Sequence, residues 1–241
     1  MNDKPETPSG VLLIDKAQDF TSHDVVAVAR GALGIRKIGH CGTLDPMATG
    51  LLILVIGKAT KLSDLLMSEE KEYEGTMVLG KTTNSQDAQG EVEEEKDVPD
   101  FSAEQIDDAF NEYVGDFEQI PPMVSAIKIK GVPLYKMARK GKVVERKPRA
   151  VKVYDYQIKR TELPEVDFVV QCSKGFYVRT YVHDIGQDLG CGAHLSALRR
   201  TRSGKFDLSR AVTTEQLKHG KREDLLASML TLEEVLEIRG V

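Results

Sequence analysis

The chain has little of what would mark it as secreted, membrane-spanning or metal-dependent. It has three cysteines in 241 residues, Cys41, Cys172 and Cys191. Their odd number and wide spacing give neither a disulfide framework nor a Cys-x-x-Cys metal site. Reduced thiols suit a cytoplasmic setting. The longest apolar run, Leu51 to Ile56, is far too short to span a bilayer. The opening Met1-Asn2-Asp3-Lys4-Pro5-Glu6 lacks the basic and apolar regions of a secretory signal. No metal-ligand cluster or phosphate-binding P-loop stands out, so no cofactor and no membrane are expected.

Positive charge is also scarce on average, the formal net charge being −5. Its distribution matters more. Glu91 to Asp108 holds nine acidic residues and one lysine, and the rest of the chain is net positive. Lys136 to Arg149 holds seven basic residues against Glu145, interleaved with Tyr135, Met137 and Gly141. Arg199, Arg200, Arg202, Lys205 and Arg210 form a second basic group. A nucleic-acid enzyme needs a basic face rather than a basic average. The acidic run reads as a solvated loop and the basic run as an RNA contact.

The length allows one sizeable core. Val11 to Ile14 and Leu51 to Ile56 read as buried strands, and Tyr73 to Leu79 as another, which the Asp87-Ala88-Gln89-Gly90 turn could return as a hairpin. Thr21 or Ser22 can cap a helix that Gly34 stops. Ala59 to Met67 reads as a helix, and Ser102 to Gln105 fits a capping box for a helix through Ile106, Ala109, Phe110 and Tyr113. Ser125 to Lys130 alternates like a strand, and Pro133 to Lys140 could form a short helix. Val151 to Lys159 and Val166 to Cys172 read as long strands, Val178 to Leu189 as a helix ended by Gly190, and Leu225 to Ile238 as a final helical pattern. This mixture lacks strict βαβ alternation, which points to an α+β fold with a mixed, mostly antiparallel sheet and flanking helices.

The most informative stretch is Gly39-His40-Cys41-Gly42-Thr43-Leu44-Asp45-Pro46-Met47-Ala48-Thr49-Gly50-Leu51-Leu52. It sets one carboxylate, Asp45, among small and turn-forming residues just before an apolar strand, with Pro46 biasing Asp45 toward extended backbone. Alone, Asp-Pro is a common turn pair. The whole block, however, resembles the catalytic-aspartate motif of the TruB family of tRNA pseudouridine-55 synthases. Further segments are similar to that family in the same order. They are Gly10 to Lys16 with Thr21-Ser22, Lys71-Glu72-Tyr73 with Leu79-Gly80, Asp87 and Gly90, Gln119-Ile120-Pro121-Pro122 with Ser125 to Lys128, Cys172 to Arg179, and Leu198 to Thr201. Together they cover about residues 10 to 205.

The resemblance implies the pseudouridine synthase fold and isomerisation of the T-loop uridine of tRNA. It makes Asp45 the nucleophile, ionised in neutral water at a reference pKa of about 3.9. It makes Arg179 the guanidinium that keeps that carboxylate charged, and Tyr73 the ring that stacks on the uracil and moves a proton. Tyr177 and Leu198 would line the base pocket, and His40 would stabilise the flipped RNA. Lys16 would support the pocket or touch the backbone, and Lys61 would contact phosphate. Read without the motif, Arg179 is an ion-pair residue, Tyr73 a half-buried strand aromatic, His40 a structural histidine and Lys61 a solvated lysine. Ala17, Phe176 and Val124 depart from the proline, threonine and tyrosine usual in the family at those positions. They bear on pocket shape and RNA grip rather than on the reacting groups.

The expected organisation is a flexible stretch over 1–9, a catalytic domain over 10–207 and a short helical extension over 208–241, with no PUA domain. The expected partner is the tRNA T-arm, with no obligate protein partner and a monomeric state. Two competing readings remain at this point, a tRNA-binding folding chaperone and a pseudouridine synthase acting on another RNA.

Overall fold

The structure is a computed structural model that describes residues 7–125, 127–129, 131–134, 137, 141 and 144–240. In chain order its elements begin with β1 (Gly10–Lys16), α1 (Ser22–Leu33), β2 (Ile38–Cys41), β3 (Thr49–Ile56) and α2 (Ser63–Met67). They continue with β4 (Lys71–Leu79), β5 (Lys81–Thr83), β6 (Val92–Glu95), α3 (Ala103–Asn111), β7 (Gly115–Gln119), β8 (Lys128–Ile129) and β9 (Val132–Pro133). Then come β10 (Arg149–Glu162), β11 (Glu165–Cys172), α4 (Val178–Asp188), β12 (Ala193–Ser203) and β13 (Val212–Thr213). Three short helices close the chain, α5 (Thr214–His219), α6 (Arg222–Ala227) and α7 (Leu232–Arg239). The chain divides into two units, Met1–Glu72 with Arg199–Val241, and Tyr73–Leu198.

In the first unit β3 lies antiparallel to β1, from Gly10 opposite Ile56 to Lys16 opposite Gly50, and β13 extends β1 in parallel. The other edge of β3 is shared. Antiparallel β2 takes Ile53 to Ile56, and the last residues of β12 run parallel to Thr49 and Gly50. Every residue from Leu51 to Ile56 is fully buried, so the strand reads as a continuous apolar run rather than an alternation. One face carries Val11, Leu13, Leu51, Ile53 and Val55, which pack in one cluster with Phe206, Leu230 and Val235 from the end of the chain. Helix α1 opens with a capping box between Thr21 and Asp24 and ends at Gly34 in the left-handed conformation, as the sequence predicts.

The second unit carries the strand order β12, β4, β11, β10, β7. Its core sets a cluster of rings among aliphatic residues such as Val153, Val166, Val170 and Ile185. The Phe110 ring of α3 lies 5.3 Å from Phe168, 5.6 Å from Tyr181 and 5.7 Å from Tyr156, centroid to centroid. Gly75 on β4 is required here, because a Cβ would come within 2.7 Å of the Phe168 ring. Phe176 joins this cluster with its ring 5.3 Å from Tyr181.

Antiparallel pairings predominate, in β1–β3, β2–β3, β5–β6, β7–β10 and β10–β11, while β1–β13 and β3–β12 are parallel. The fold is α+β, as expected. Several local expectations give way. The helix expected over Ala59 to Met67 is a 3-10 turn, Gly57–Leu62, followed by the five-residue α2. The Thr60 and Ser63 hydroxyls donate to the carbonyls of Gly57 and Thr60, bonds that compete with a regular α-helix. The Asp87 to Gly90 turn closes a hairpin of β5 and β6 rather than returning β4. The Leu225 to Ile238 pattern is two helices, because Leu230 exchanges backbone hydrogen bonds with Val11 and Thr231 starts a new capping box with Glu234. Within the strand expected over Ser125 to Lys130, Lys128–Ile129 pairs with Val132–Pro133, while Ala126 and Lys130 lie outside the described residues, as does most of the helix expected over Pro133 to Lys140. Among the described residues no helix is long and apolar enough to cross a membrane.

Candidate active site

Asp45 stands in the loop that joins β2 to β3, and that loop is tied down along its length. The Ser22 hydroxyl, at the start of α1, accepts from the Leu44 amide at 2.9 Å and donates to the Leu44 carbonyl at 3.2 Å. The Asp45 carbonyl accepts from the Ala48 amide at 3.1 Å, and the Pro46 carbonyl from the Asp19 amide at 2.8 Å. Lys16, at the end of β1, is wholly buried and donates to the carbonyls of Phe20 (2.7 Å), Ala17 (2.9 Å) and Pro46 (3.3 Å). Burial pushes its pKa down to about 8, with the charges of Asp45 and Asp19 partly offsetting that effect. Lys16 is thereby bonded to the Asp45 loop through the Pro46 carbonyl.

Arg200 is the residue that sequence reasoning missed. Strand alternation in β12 sends it inward, and its side chain is 1% exposed. Its Nε donates to the Leu51 carbonyl at 2.7 Å and its Nη2 to the Gly42 carbonyl at 3.0 Å. A Cβ at Gly50 would collide with the Arg200 backbone, and Gly50 has φ +95°, so only glycine lets β3 and β12 approach this closely. The second basic group is consequently not a free cationic face. Arg199 pairs with Asp15 at 2.7 Å, Arg202 lies 3.4 Å from Glu72, and Arg210 lies 3.2 Å from Glu234. Lys205 is exposed.

His40 lies on β2, partly buried, with its ring edge-on to His23 at 5.3 Å. Burial, then the nearby His23 and Arg200, push its pKa down to about 4, so the ring is neutral at pH 7. Lys61 is exposed on the 3-10 turn after β3.

The second unit holds the other expected residues. Tyr73, near the start of β4, is 9% exposed, and Leu198, in β12, 8%. Tyr177 precedes the first turn of α4, and the Gln119 side chain clamps its backbone. The Tyr177 amide donates to Gln119 Oε1 at 2.8 Å, and Gln119 Nε2 donates to the Tyr177 carbonyl at 3.1 Å. Arg179, 2% exposed, donates from Nη1 to the Ser85 carbonyl at 2.7 Å and from Nη2 to the Val124 carbonyl at 2.8 Å. Its Nη1 also lies 3.4 Å from the buried Asp87 carboxylate, which accepts in turn from the Ser85 hydroxyl at 2.7 Å and the Gln89 amide at 3.0 Å. Asp87 and Gln119 sit in motif segments, but their contacts with Arg179 and Tyr177 are invisible without the fold. Lys16 and Asp45 therefore meet in the first unit, with His40 on the strand leading into the loop, whereas Tyr177 and Arg179 share the start of α4 in the second.

Sequence comparison gives two family matches. Residues 30–178 match the profile described as TruB family pseudouridylate synthase (N terminal domain). Residues 179–237 match the one described as tRNA pseudouridylate synthase B C-terminal domain. The chain is 57% identical over 209 residues to the tRNA pseudouridine synthase B of Opitutus terrae, covering 87% of each protein. It is 48% identical over 228 residues to that of Syntrophotalea carbinolica, covering 95% of this chain and 74% of the relative. Among solved structures it is similar to a chain of a Cbf5-Nop10-Gar1 complex, at 32% identity and a TM-score of 0.72, covering 95% of this chain and 62% of that one. A chain of an H/ACA RNP bound to a substrate RNA containing 2′-deoxyuridine gives 29% identity and a TM-score of 0.69, covering 95% and 61%. The chain therefore spans about three fifths of the length of those two structural relatives.

Proposed function

The chain belongs to the TruB family of pseudouridine synthases, and on that premise we propose that it isomerises the T-loop uridine of tRNA, position 55, with Asp45 as the nucleophile. The enzyme class is a tRNA pseudouridine synthase, an isomerase. The reaction breaks the N1–C1′ bond, turns the uracil and joins C5 to C1′; N1 gains a proton and C5 loses one. No atom is imported, so the protein must supply a carboxylate, a place for the extruded base and a path for the proton.

In this reading Asp45 attacks C1′, assists departure of the base through a glycal-like sugar, or adds to the uracil ring. Arg179 provides the counter-charge that keeps the carboxylate ionised, Tyr73 stacks on the uracil and moves a proton, and Tyr177 and Leu198 wall the pocket. His40 fills the space the uridine leaves, and its neutrality at pH 7 supports a role by shape rather than by charge. Lys16 holds the Asp45 loop, and Lys61 meets phosphate. The basic stretch over 136–149 grips the RNA backbone, and of its described residues Lys147 and Arg149 are exposed. Residues 10–207 serve as the catalytic domain and 208–241 as its helical extension. The working form is a cytoplasmic monomer that engages the T-arm without an obligate protein partner.

The observation that carries this reading is the Asp45 loop itself, in which a reactive carboxylate sits on a backbone pinned by a buried lysine and a buried arginine. The test is site-resolved pseudouridine mapping on unmodified tRNA incubated with the protein. The expected result is product at the T-loop uridine alone. Product elsewhere would move the assignment to another RNA site, and tight binding without product would favour the folding-chaperone reading.

A further inference from the structure

We propose that Arg200 is a positioning residue that clamps both ends of the Asp45 loop and thereby sets the reach of the carboxylate. The proposal rests on Asp45 being the nucleophile. The loop leaves β2 at Gly42 and rejoins the sheet at Thr49, and Arg200 bonds a carbonyl on either side of it, Nη2 to Gly42 and Nε to Leu51, two residues into β3. Its own backbone lies opposite Gly50 in the parallel pairing of β12 with β3. One residue therefore fixes the loop's two ends relative to one strand, while Lys16 holds its middle at Pro46.

The chemistry calls for arginine. Two carbonyls bonded at once need a planar fork with donors on separate, rigidly spaced nitrogens, whereas a lysine offers one point charge on a flexible stem. The site is dry, with the side chain 1% exposed, so the two bonds are poorly replaced by water. Gly42 fits the same logic, because a Cβ there would approach Arg200 Nη1 to 3.2 Å and crowd the guanidinium against its acceptor.

The test is Arg200→Lys, which keeps the charge and aliphatic stem but loses the fork. The control is Arg30→Lys, which removes another arginine bond to a carbonyl of the same unit, from Arg30 Nη2 to Ile38 at 2.9 Å. Two readouts are needed: single-turnover product formation on saturating tRNA with the tRNA affinity measured alongside, and amide exchange over residues 42–51. The expected result for Arg200→Lys is a rate loss of up to about 100-fold, as displacement of a reacting group by an ångström can cost. Affinity should stay within about twofold, since the mechanism assigns Arg200 no RNA contact. Exchange over 42–51 should rise, and Arg30→Lys should show none of these changes. Wild-type rate and exchange in Arg200→Lys, a matching loss in Arg30→Lys, or loss of the folded state in Arg200→Lys would each overturn the proposal, the last because the guanidinium would then hold the whole unit rather than the loop. Asp45→Asn run in parallel separates the two readings: product from that variant would remove Asp45 as nucleophile, while the exchange readout still decides whether Arg200 holds the loop.

Discussion

The unit that carries Asp45 is built on aliphatic strands, whereas the unit that carries Arg179 adds a cluster of packed rings to its aliphatic core, and the two hold these candidate side chains by different means. In the first, Val11, Leu13, Leu51, Ile53 and Val55 form a sheet face whose shape is set by strand register. Asp45 sits on a loop, and the buried Lys16 and Arg200 on neighbouring strands reach over to carbonyls in and beside it. In the second, Phe110, Phe168 and Tyr181 pack together in the core with the partly buried Tyr156 against them, and the buried cation is the candidate residue itself, Arg179, held by two carbonyls and by Asp87. On the proposed reading Asp45 is the nucleophile, and a nucleophile on a loop is placed through the loop's backbone. A buried guanidinium needs its donors fixed, because its charge must point one way.

That contrast can be broken experimentally, most strongly through the rings. Phe110→Ala should cost about 3–5 kcal/mol, seen in urea unfolding, with amide protection lost over 73–198 and retained around β1 and β3. Uniform loss of protection across both units would mean the two cores do not fail separately.

Acid should act on the two units in opposite directions. His40, in the first, has its pKa pushed from 6.5 down to about 4, so its unfolded form binds a proton first. Stability present above pH 6.5 is lost as pH falls toward 4, by at most about 3 kcal/mol. Asp184, in the second, has its pKa raised from 3.8 to about 6, by burial and then by Asp188. Its contribution is full below pH 3.8 and is lost as pH rises through 6, again by at most about 3 kcal/mol. Exchange measured across pH 4 to 6 checks this, with His40→Gln flattening the first trend and Asp184→Asn the second. Parallel trends in the two units would contradict the assignment.

The smallest effect should be common to both. Thr21 caps α1 and Ser102 caps α3 through the same pair of reciprocal bonds. Thr21→Ala and Ser102→Ala should each cost about 1 kcal/mol by denaturant midpoint. A much larger cost at Thr21 would show that this cap also holds the neighbouring Asp45 loop, through Ser22.

These contrasts mark what could be read without the fold. Caps and the β3 run are local signals, carried by a few neighbouring residues, and α1, α3, β1, β3, β10 and β11 were legible for that reason. The family motif made Asp45, Tyr73 and Arg179 visible as candidates because their segments are distinctive. Arg200 was not legible in its structural role. A stretch of Arg199, Arg200, Thr201 and Arg202 reads as a solvated basic group, and its burial depends on Gly50, some 150 residues earlier in the chain, admitting a second backbone. Asp87 and Gln119 were hidden likewise, since their partners Arg179 and Tyr177 come from distant segments. The 3-10 turn after β3 escaped because side-chain bonds from Thr60 and Ser63 outweigh helical periodicity over so short a stretch.

The central claim is that a single carboxylate performs the isomerisation. The measurement that tests it most directly is a single-turnover assay of Asp45→Asn on pre-bound tRNA, with affinity determined on the same preparation. The amide keeps the shape of the side chain and removes the nucleophile, so the account predicts wild-type affinity and no pseudouridine. Product at an appreciable rate from that variant would contradict it.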